Sequence, residues 1–339
     1  MSDMKTATPA TARAINDRLA LDLLLDQGPL TAPQLRELTG LSRPTISDLI
    51  DRLRTAGLIE VTGESGGDRR GPNARCYGLV AERAHVAGVD IRRTGLRGAV
   101  ADLVGRTVGE ADHPAGTDLA GALVATLARA ADGRPLQSVV LGAPGLVHPH
   151  TSGLTTDNGV PGWSADVLDR VRAGTGAHVV LDNETNLAAI AEHRLGAARD
   201  RADFVLLWLD DDGVGGAVFL DGRVRKGRSG GAGELGLIEA AGRTLCCAVE
   251  PPAVPYDELA WQVARGLFPA VAVVDPGLAV IGGSRGRAGG EEFAALVGER
   301  LATLSPAPTE VLVSTVEGNA ILQGAVLTAL DLARDAVFG

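Results

Sequence analysis

The sequence predicts a winged helix-turn-helix over residues 14–80, helical with a small β wing, followed by a two-lobed α/β body over residues 84–339; residues 1–13 are expected to be disordered. Three observations carry this reading. Three short helical stretches and a basic hairpin follow one another in the first eighty residues. A strand-strand-strand-helix-strand order then occurs twice. The charge is also divided unevenly: residues 1–80 hold 10 Lys+Arg and 10 Asp+Glu, and the rest hold 22 and 32, so the net charge of −10 lies on the body. A neutral segment on an acidic protein permits DNA binding by that segment, whereas the global charge argues against a nucleic-acid coat protein.

In the first helix Ile15, Leu19 and Leu23, with Ala20 and Leu24, recur at spacing four and predict one buried face. Gly28-Pro29 ends it. Thr31 then offers an N-cap with Gln34 three residues on, a capping-box pattern, and Pro33 is tolerated in the first turn, so a short helix runs to Thr39 and stops at Gly40. Ser42 caps a third helix with Pro44 in its opening turn, and Ile46, Leu49, Ile50 and Leu53 mark its buried stripe.

Two short helices joined by a glycine turn, the second with a polar first turn, form the arrangement that lets a helix N-terminus enter the major groove. Ser42, Arg43, Pro44, Thr45 and Ser47 are therefore the expected base- and phosphate-contacting set. Asp48 and Asp51 disfavour DNA on their side of the same helix. Strands over 58–61 and 75–80 flank a loop containing Arg69, Arg70 and Gly71-Pro72; with Arg75 this reads as a wing with a basic tip, suited to phosphates or a narrow minor groove. The alternative is a small helical domain used for dimerisation, with Arg69 and Arg70 merely solvated.

The 339 residues are enough for two or three domains, and 45% hydrophobic with 22% charged residues excludes a largely disordered chain. Three cysteines, Cys76, Cys246 and Cys247, do not make a disulfide framework and fit a reducing cytoplasm. No apolar run reaches the ~18 residues of a membrane span, and Asp22 and Asp26 interrupt the first leucine-rich segment, so neither a membrane helix nor a signal peptide is expected.

In the body, strands are predicted over 85–91, 96–103 and 106–112, then a helix over 118–131 and a strand over 138–141. Strands over 204–209, 215–220 and 222–225 begin a second such series, with later strands over 278–281 and 310–313 and a closing helix after Glu317. Two α/β lobes with a cleft between them follow.

The stretches LGAPGLVHPHTSGLTTDNGVPGW (141–163), LDNETNLAAIAEHRLGA (181–197) and GVGGAVFLDGRVRKGRSGGAGELG (213–236) resemble the ROK family of sugar kinases and repressors. With the N-terminal domain attached, the chain resembles the repressor branch. The resemblance implies an actin/hexokinase-like (ribonuclease H-like) fold, a homo-oligomer, either dimer or tetramer, and control of sugar-related genes.

Where kinase members carry Asp-x-Gly-Gly-Thr, this chain reads DIRRTG (90–95): Asp90 and Thr94 remain, and Arg92 and Arg93 add side chains where nucleotide phosphates would lie. A second phosphate loop reads DDDGVGG (210–216), with Asp211 and Asp212 in place of a glycine and a threonine. Their charge repels phosphate, and magnesium binding there is the alternative. Arg92 and Arg93 leave open an anionic effector.

By the same resemblance Asp182, Asn183 and Glu184 line the sugar site, with Glu184 in the place of the catalytic aspartate, and Asn158, Glu234 and Glu250 match other sugar-contacting positions. Amides and carboxylates suit a polyol because each hydroxyl both donates and accepts; helix or turn capping is the alternative for Asn158 and Asn183. Leu237 stands in the place of a zinc-binding histidine, and only Cys246 and Cys247 remain of three cysteines, so no metal is expected.

No catalytic residue and no cofactor are assigned. The expected partners are a double-stranded DNA operator and a sugar or sugar-derivative effector. The alternatives are a body that serves for dimerisation or partner docking, and an active sugar kinase.

Overall fold

The computed structural model describes residues 9–65, 74–151, 153–154, 158–211, 213–240, 242–248 and 255–339. The N-terminal domain comprises α1 (Pro9–Gln27), β1 (Leu30–Thr31), α2 (Ala32–Thr39), α3 (Arg43–Thr55), β2 (Ile59–Ser65) and β3 (Ala74–Leu79). The short β1, not expected from the sequence, completes a three-stranded sheet of order β1-β3-β2. Thr31 and Gln34 form both halves of the capping box on α2, and Gly40 takes the left-handed conformation (φ 68°) that closes this helix.

The first helix corrects two expectations. It begins at Pro9, so residues 9–13 are helical; residues 1–8 lie outside the described residues. Its buried face is Ala20, Leu21 and Leu24, whereas Ile15 and Leu19 are 60% and 41% exposed. Spacing four is a row on the helix surface in either case, and only the position of α2 and α3 decides which row is covered.

The first lobe contains β4 (His85–Arg92), β5 (Gly95–Asp102), β6 (Thr107–Pro114), α4 (Leu119–Ala131), β7 (Leu136–Ala143), α5 (Val167–Thr175), β8 (His178–Asn183) and α6 (Glu184–Leu195). The second contains β9 (Phe204–Asp210), β10 (Gly213–Leu220), β11 (Arg223–Val224), the hairpin β12 (Glu239–Ala240) and β13 (Arg243–Thr244), α7 (Leu245–Ala248), α8 (Tyr256–Val274), β14 (Leu278–Gly282), α9 (Gly283–Leu304), β15 (Glu310–Val313) and α10 (Ala320–Phe338). The five-stranded sheets have orders β6-β5-β4-β7-β8 and β11-β10-β9-β14-β15, the same winding used twice. Strand β8 has no counterpart among the strands read from sequence, and β11 has only two residues of the four expected.

Helices α6 and α10 lie between the two sheets. Leu187, Ala188, Ile321 and Ala325 share one apolar cluster with Val86 and Val140 of the first sheet and Leu206 and Val280 of the second. Close approach there requires small residues: a Cβ on Gly324 would run into the Leu187 carbonyl, and one on Gly88 into the α10 backbone at Val326. Buried Ser138 donates to the Ala329 carbonyl (2.7 Å), tying α10 to β7.

The core of the N-terminal domain does not end at the domain boundary. Leu21, Leu24, Leu49 and Leu53 pack in one cluster with Leu103 and Phe338 of the body. The last residues of α10 thus form part of the seat on which α1 rests.

Candidate nucleic-acid interface and ligand cleft

Ser42 caps α3, its hydroxyl accepting from the Thr45 N–H (3.4 Å) and lying 2.8 Å from the Thr45 hydroxyl. Ser42, Arg43, Pro44 and Ser47 are exposed and Thr45 is half-buried. Ile46, Leu49, Ile50 and Leu53 are buried as expected, so their packing sets which way the polar turn points. Arg52 pairs with Asp17 (2.5 Å), fixing α3 against α1. Arg75 is exposed on β3 opposite Glu64 of β2. Arg69 and Arg70 lie outside the described residues.

The cleft lies where parallel strands of both sheets end. Asp90 of β4 is in register with Gly142 of β7, which is in register with Asp182 of β8; in the other sheet Trp208 of β9 faces Gly282 of β14. Carboxyl ends of parallel strands are where α/β sheets place ligands, because the following loops and helix N-termini converge there. The cleft encloses about 230 Å³, and Asn183, Glu184 and Glu234 line it with Arg92, Arg93, Trp208 and Asp210.

Asn183 is the N-cap of α6. Its Oδ1 accepts from the Thr185 and Asn186 N–H groups (2.9 and 3.2 Å), and its Nδ2 donates to the Gly145 carbonyl and to Glu184 Oε2 (both 3.1 Å). The capping alternative therefore holds for this residue, and the cap is also what presents Glu184 to the cleft. Burial pushes the Glu184 carboxyl up to about 7; a backbone N–H and the Arg92 charge offset this in part. Burial also raises Glu234. A carboxyl held protonated near neutrality donates as well as accepts, which widens the hydrogen-bonding range toward a polyol.

Other expected positions fall elsewhere. Asn158 is 5% exposed and accepts from the Val160 N–H (3.1 Å); among the described residues its Nδ2 has no partner, and it does not line the cleft. Asp182 is buried and receives Lys226 Nζ at 2.6 Å rather than facing the cleft. Glu250 and Asp212 lie outside the described residues.

Asp211 is exposed and does not line the cleft. Asp210 takes that place and accepts from Trp208 Nε1 (3.2 Å) and the Ser284 hydroxyl (2.5 Å). Burial works to raise it, but Ser284, the Arg92 charge, the Asp211 N–H and Trp208 together hold it below the usual carboxylate range. Sequence reading placed Asp210 in the second phosphate loop but gave the role to Asp211 and Asp212, and it took Trp208 as part of the apolar strand run 204–209.

Arg92 is already paired: its Nε donates to both oxygens of Asp90 (2.9 and 3.1 Å) and its Nη1 to Asp210 Oδ2 (3.3 Å). Arg93 is exposed at the cleft. In the segment that resembles the zinc site, Leu237 is 66% exposed, Cys246 Sγ donates to the Val214 carbonyl (3.4 Å) and Cys247 is exposed. Among the described residues no three His, Cys, Asp or Glu side chains are grouped to hold a metal ion, and no helix is long and apolar enough to cross a membrane.

The model of the ROK family matches residues 86–251, and that of the MarR family matches residues 14–71. Residues 86–251 thus form a ROK domain, preceded by a MarR-like winged helix. The xylose repressor of Bacillus subtilis is 25% identical to the chain over 247 residues, 69% of this chain and 62% of that one; this chain thus spans less than two thirds of that relative. The glucokinase of Halalkalibacterium halodurans is 32% identical over 162 residues, 44% of this chain and 48% of that one.

The crystal structure of a ROK family transcriptional regulator, a homologue of the E. coli MLC protein, covers 97% of this chain and 100% of its own with a TM-score of 0.74 at 19% identity, a likeness of fold. The ROK hexokinase of Thermus thermophilus covers 74% of this chain and 99% of its own, with a TM-score of 0.63 at 26% identity. An N-terminal winged helix followed by the actin/hexokinase-like ROK domain is therefore the architecture of this protein.

Proposed function

We propose that this ROK protein is a sequence-specific transcriptional regulator, a repressor of sugar-related genes, whose kinase-like domain senses a sugar or sugar derivative without catalysis. The observation that carries the reading is the state of Arg92. It occupies the turn that holds nucleotide phosphates in the kinases the chain resembles, and it is already paired with Asp90 and Asp210. A triphosphate entering there would meet a cation whose charge is spoken for and two carboxylates.

The sugar side keeps Asn183, Glu184 and Glu234 around one cavity. Glu184 carries one methylene more than the aspartate it replaces, which suits accepting a hydroxyl and misplaces a proton transfer, since a base must lie within about 2.6–3.2 Å of its proton. The operator contacts are assigned to Ser42, Arg43, Pro44, Thr45 and Ser47 in the major groove and to Arg69, Arg70 and Arg75 on the wing. A two-fold dimer presents two such helices to half-sites about one helical turn, ~10 bp, or a multiple of it apart. The protein acts in the cytoplasm on this reading and needs no cofactor.

The test is titration of labelled DNA from upstream of its own gene at several salt concentrations, with and without a panel of sugars and sugar phosphates. Specific binding that one sugar shifts supports the sensor; specific binding that no ligand alters moves the body to a dimerisation or docking role. ATP turnover that Glu184→Ala abolishes makes it a kinase.

A further inference from the structure

Among the described residues, two cation–carboxylate pairs join the strand ends of one lobe to those of the other. Arg92 of the first lobe reaches Asp210 of the second, and Lys226 of the second reaches Asp182 of the first. The two differ in strength. Lys226 to Asp182 is short, 2.6 Å, onto a buried carboxylate, whereas Arg92 to Asp210 is 3.3 Å, with side chains 25% and 20% exposed. Charge-assisted bonds are typically about 2.7–2.9 Å, so the Arg92–Asp210 contact is the one that gives first. Arg92 is otherwise held by Asp90, which is buried and cannot lose its cation cheaply. Parting the lobes therefore leaves Arg92 with Asp90 and breaks its bond to Asp210.

Asp90 has a third partner. Its Oδ2 accepts from Asn319 Nδ2 (2.8 Å), and Asn319 Oδ1 caps α10 by accepting from the Leu322 N–H (3.0 Å). Helix α10 runs about 28 Å for its nineteen residues. At its far end Asp335 pairs with Arg18 of α1 (3.0 Å), and the Arg18 guanidinium lies over the Phe338 ring. One rigid element thus has its N-cap bonded to the cleft and its C-terminus in the core of the N-terminal domain.

We propose that Arg92 and Asp210 form the latch of the cleft, and that α10 transmits its state from Asp90 through Asn319 to Arg18. Cleft opening and the set of the winged helix are then one equilibrium, which a ligand shifts by preferring one lobe separation. The operator side of this inference rests on the proposed function; the latch itself does not.

Lysine content makes a direct readout: Lys5 and Lys226 are the only lysines in the chain. Acylation by an amine-selective reagent, followed by peptide mass spectrometry, reports how often Lys226 leaves Asp182, with Lys5 as internal reference. Asp210→Asn keeps the side-chain volume and the acceptor for Ser284 while removing the charge, and Arg92→Ala removes the latch altogether. Should Arg92→Ala fail to fold because Asp90 is left uncompensated, Asp210→Asn carries the test.

The expected result is a rise of at least threefold in Lys226 labelling relative to Lys5, and a change of at least fivefold in operator Kd that vanishes when the same substitution is made in an Arg18→Ala background. Unchanged Lys226 labelling overturns the latch. Raised labelling with unchanged operator Kd, or a Kd change of equal size in the Arg18→Ala background, overturns transmission through α10. Raised labelling in a protein that binds no operator supports the latch and refutes the DNA reading, so the two fail separately.

Discussion

Arg18 Nη1 lies 3.0 Å from Asp335 Oδ1, a contact between residues 317 apart in the chain that joins the first helix of the protein to the last. The same guanidinium covers the ring of Phe338, which is buried among Leu21, Leu24 and Leu103. The N-terminal domain therefore sits on the body through an apolar contact with an ionic rim.

That division of labour sets the size of two substitutions. Phe338→Ala removes a buried ring and is expected to destabilise the domain junction by about 3–5 kcal/mol. Arg18→Ala removes a partly exposed pair and is expected to cost about 1 kcal/mol or less. Denaturant unfolding followed by near-UV signal and by operator binding measures both; equal losses for the two variants would refute an apolar seat.

Gly324→Ala tests the packing of α10 on α6. Alanine is the better helix former by about 1 kcal/mol, yet its Cβ would meet the Leu187 carbonyl, and a backbone atom cannot swing aside. Overpacking of this kind costs about 1–3 kcal/mol. A net loss of stability in chemical denaturation is expected, and a gain would show that the two helices have room to part.

Helix α3 makes a sharper prediction for Arg43 than for Asp48. Both are exposed on α3, but Arg43 lies in its first turn. Arg43→Ala is expected to weaken specific operator binding by about 1–3 kcal/mol, with a shallower salt dependence if its partner is a phosphate. Asp48→Ala is expected to leave binding unchanged or tighten it. Fluorescence anisotropy at several salt concentrations distinguishes these outcomes.

Glu184 makes stability depend on pH. In the folded protein it titrates at about 7, above the ordinary 4.5 of a glutamate, because burial disfavours the charge. Between those values the folded protein keeps a proton that the unfolded chain has released, so stability falls as pH rises from about 4.5 to about 7 and then levels off. The fall attributable to this group is up to about 3 kcal/mol. Burial also raises Glu192 and Glu234, so the quantity to measure is the difference between the wild type and Glu184→Gln. That difference should change in favour of the Gln variant across the same interval; a pH-independent difference would mean that Glu184 stays solvated.

Chelation should leave the protein untouched. Leu237 is exposed, β12 pairs with β13, and Cys246 donates to the Val214 carbonyl. An unchanged melting temperature after exhaustive dialysis against a chelator is expected, and a drop of several degrees would reveal a metal.

Local chemistry was legible in the residues. Thr31 with Gln34, Ser42 with Pro44, and Gly40 specify helix ends through groups at most three residues apart, and the structure places those caps where the pattern put them. Most strand runs of both lobes were legible for the same reason, since alternation and β-branched runs act within a few residues, but β8 was not. The cleft was legible only in part: Asn183, Glu184 and Glu234 do meet, whereas Asn158 does not join them.

What the sequence by itself determined, then, is the order of the longer elements it marked and the kinds of side chain at their ends, while β1 and β8 went unread. What only the tertiary structure decided is partnership. Arg92 and Asp90 are two residues apart, but Asp210 joins them because β9 ends opposite β4 across the cleft, and Asn319 joins because α10 returns to the first lobe. Ile15 and Leu19 lie outward for the same reason: α1 has two apolar rows, and the positions of α2, α3 and Phe338 choose between them. Contacts between residues 100 to 300 positions apart depend on strand register and helix packing, which no short-range pattern encodes.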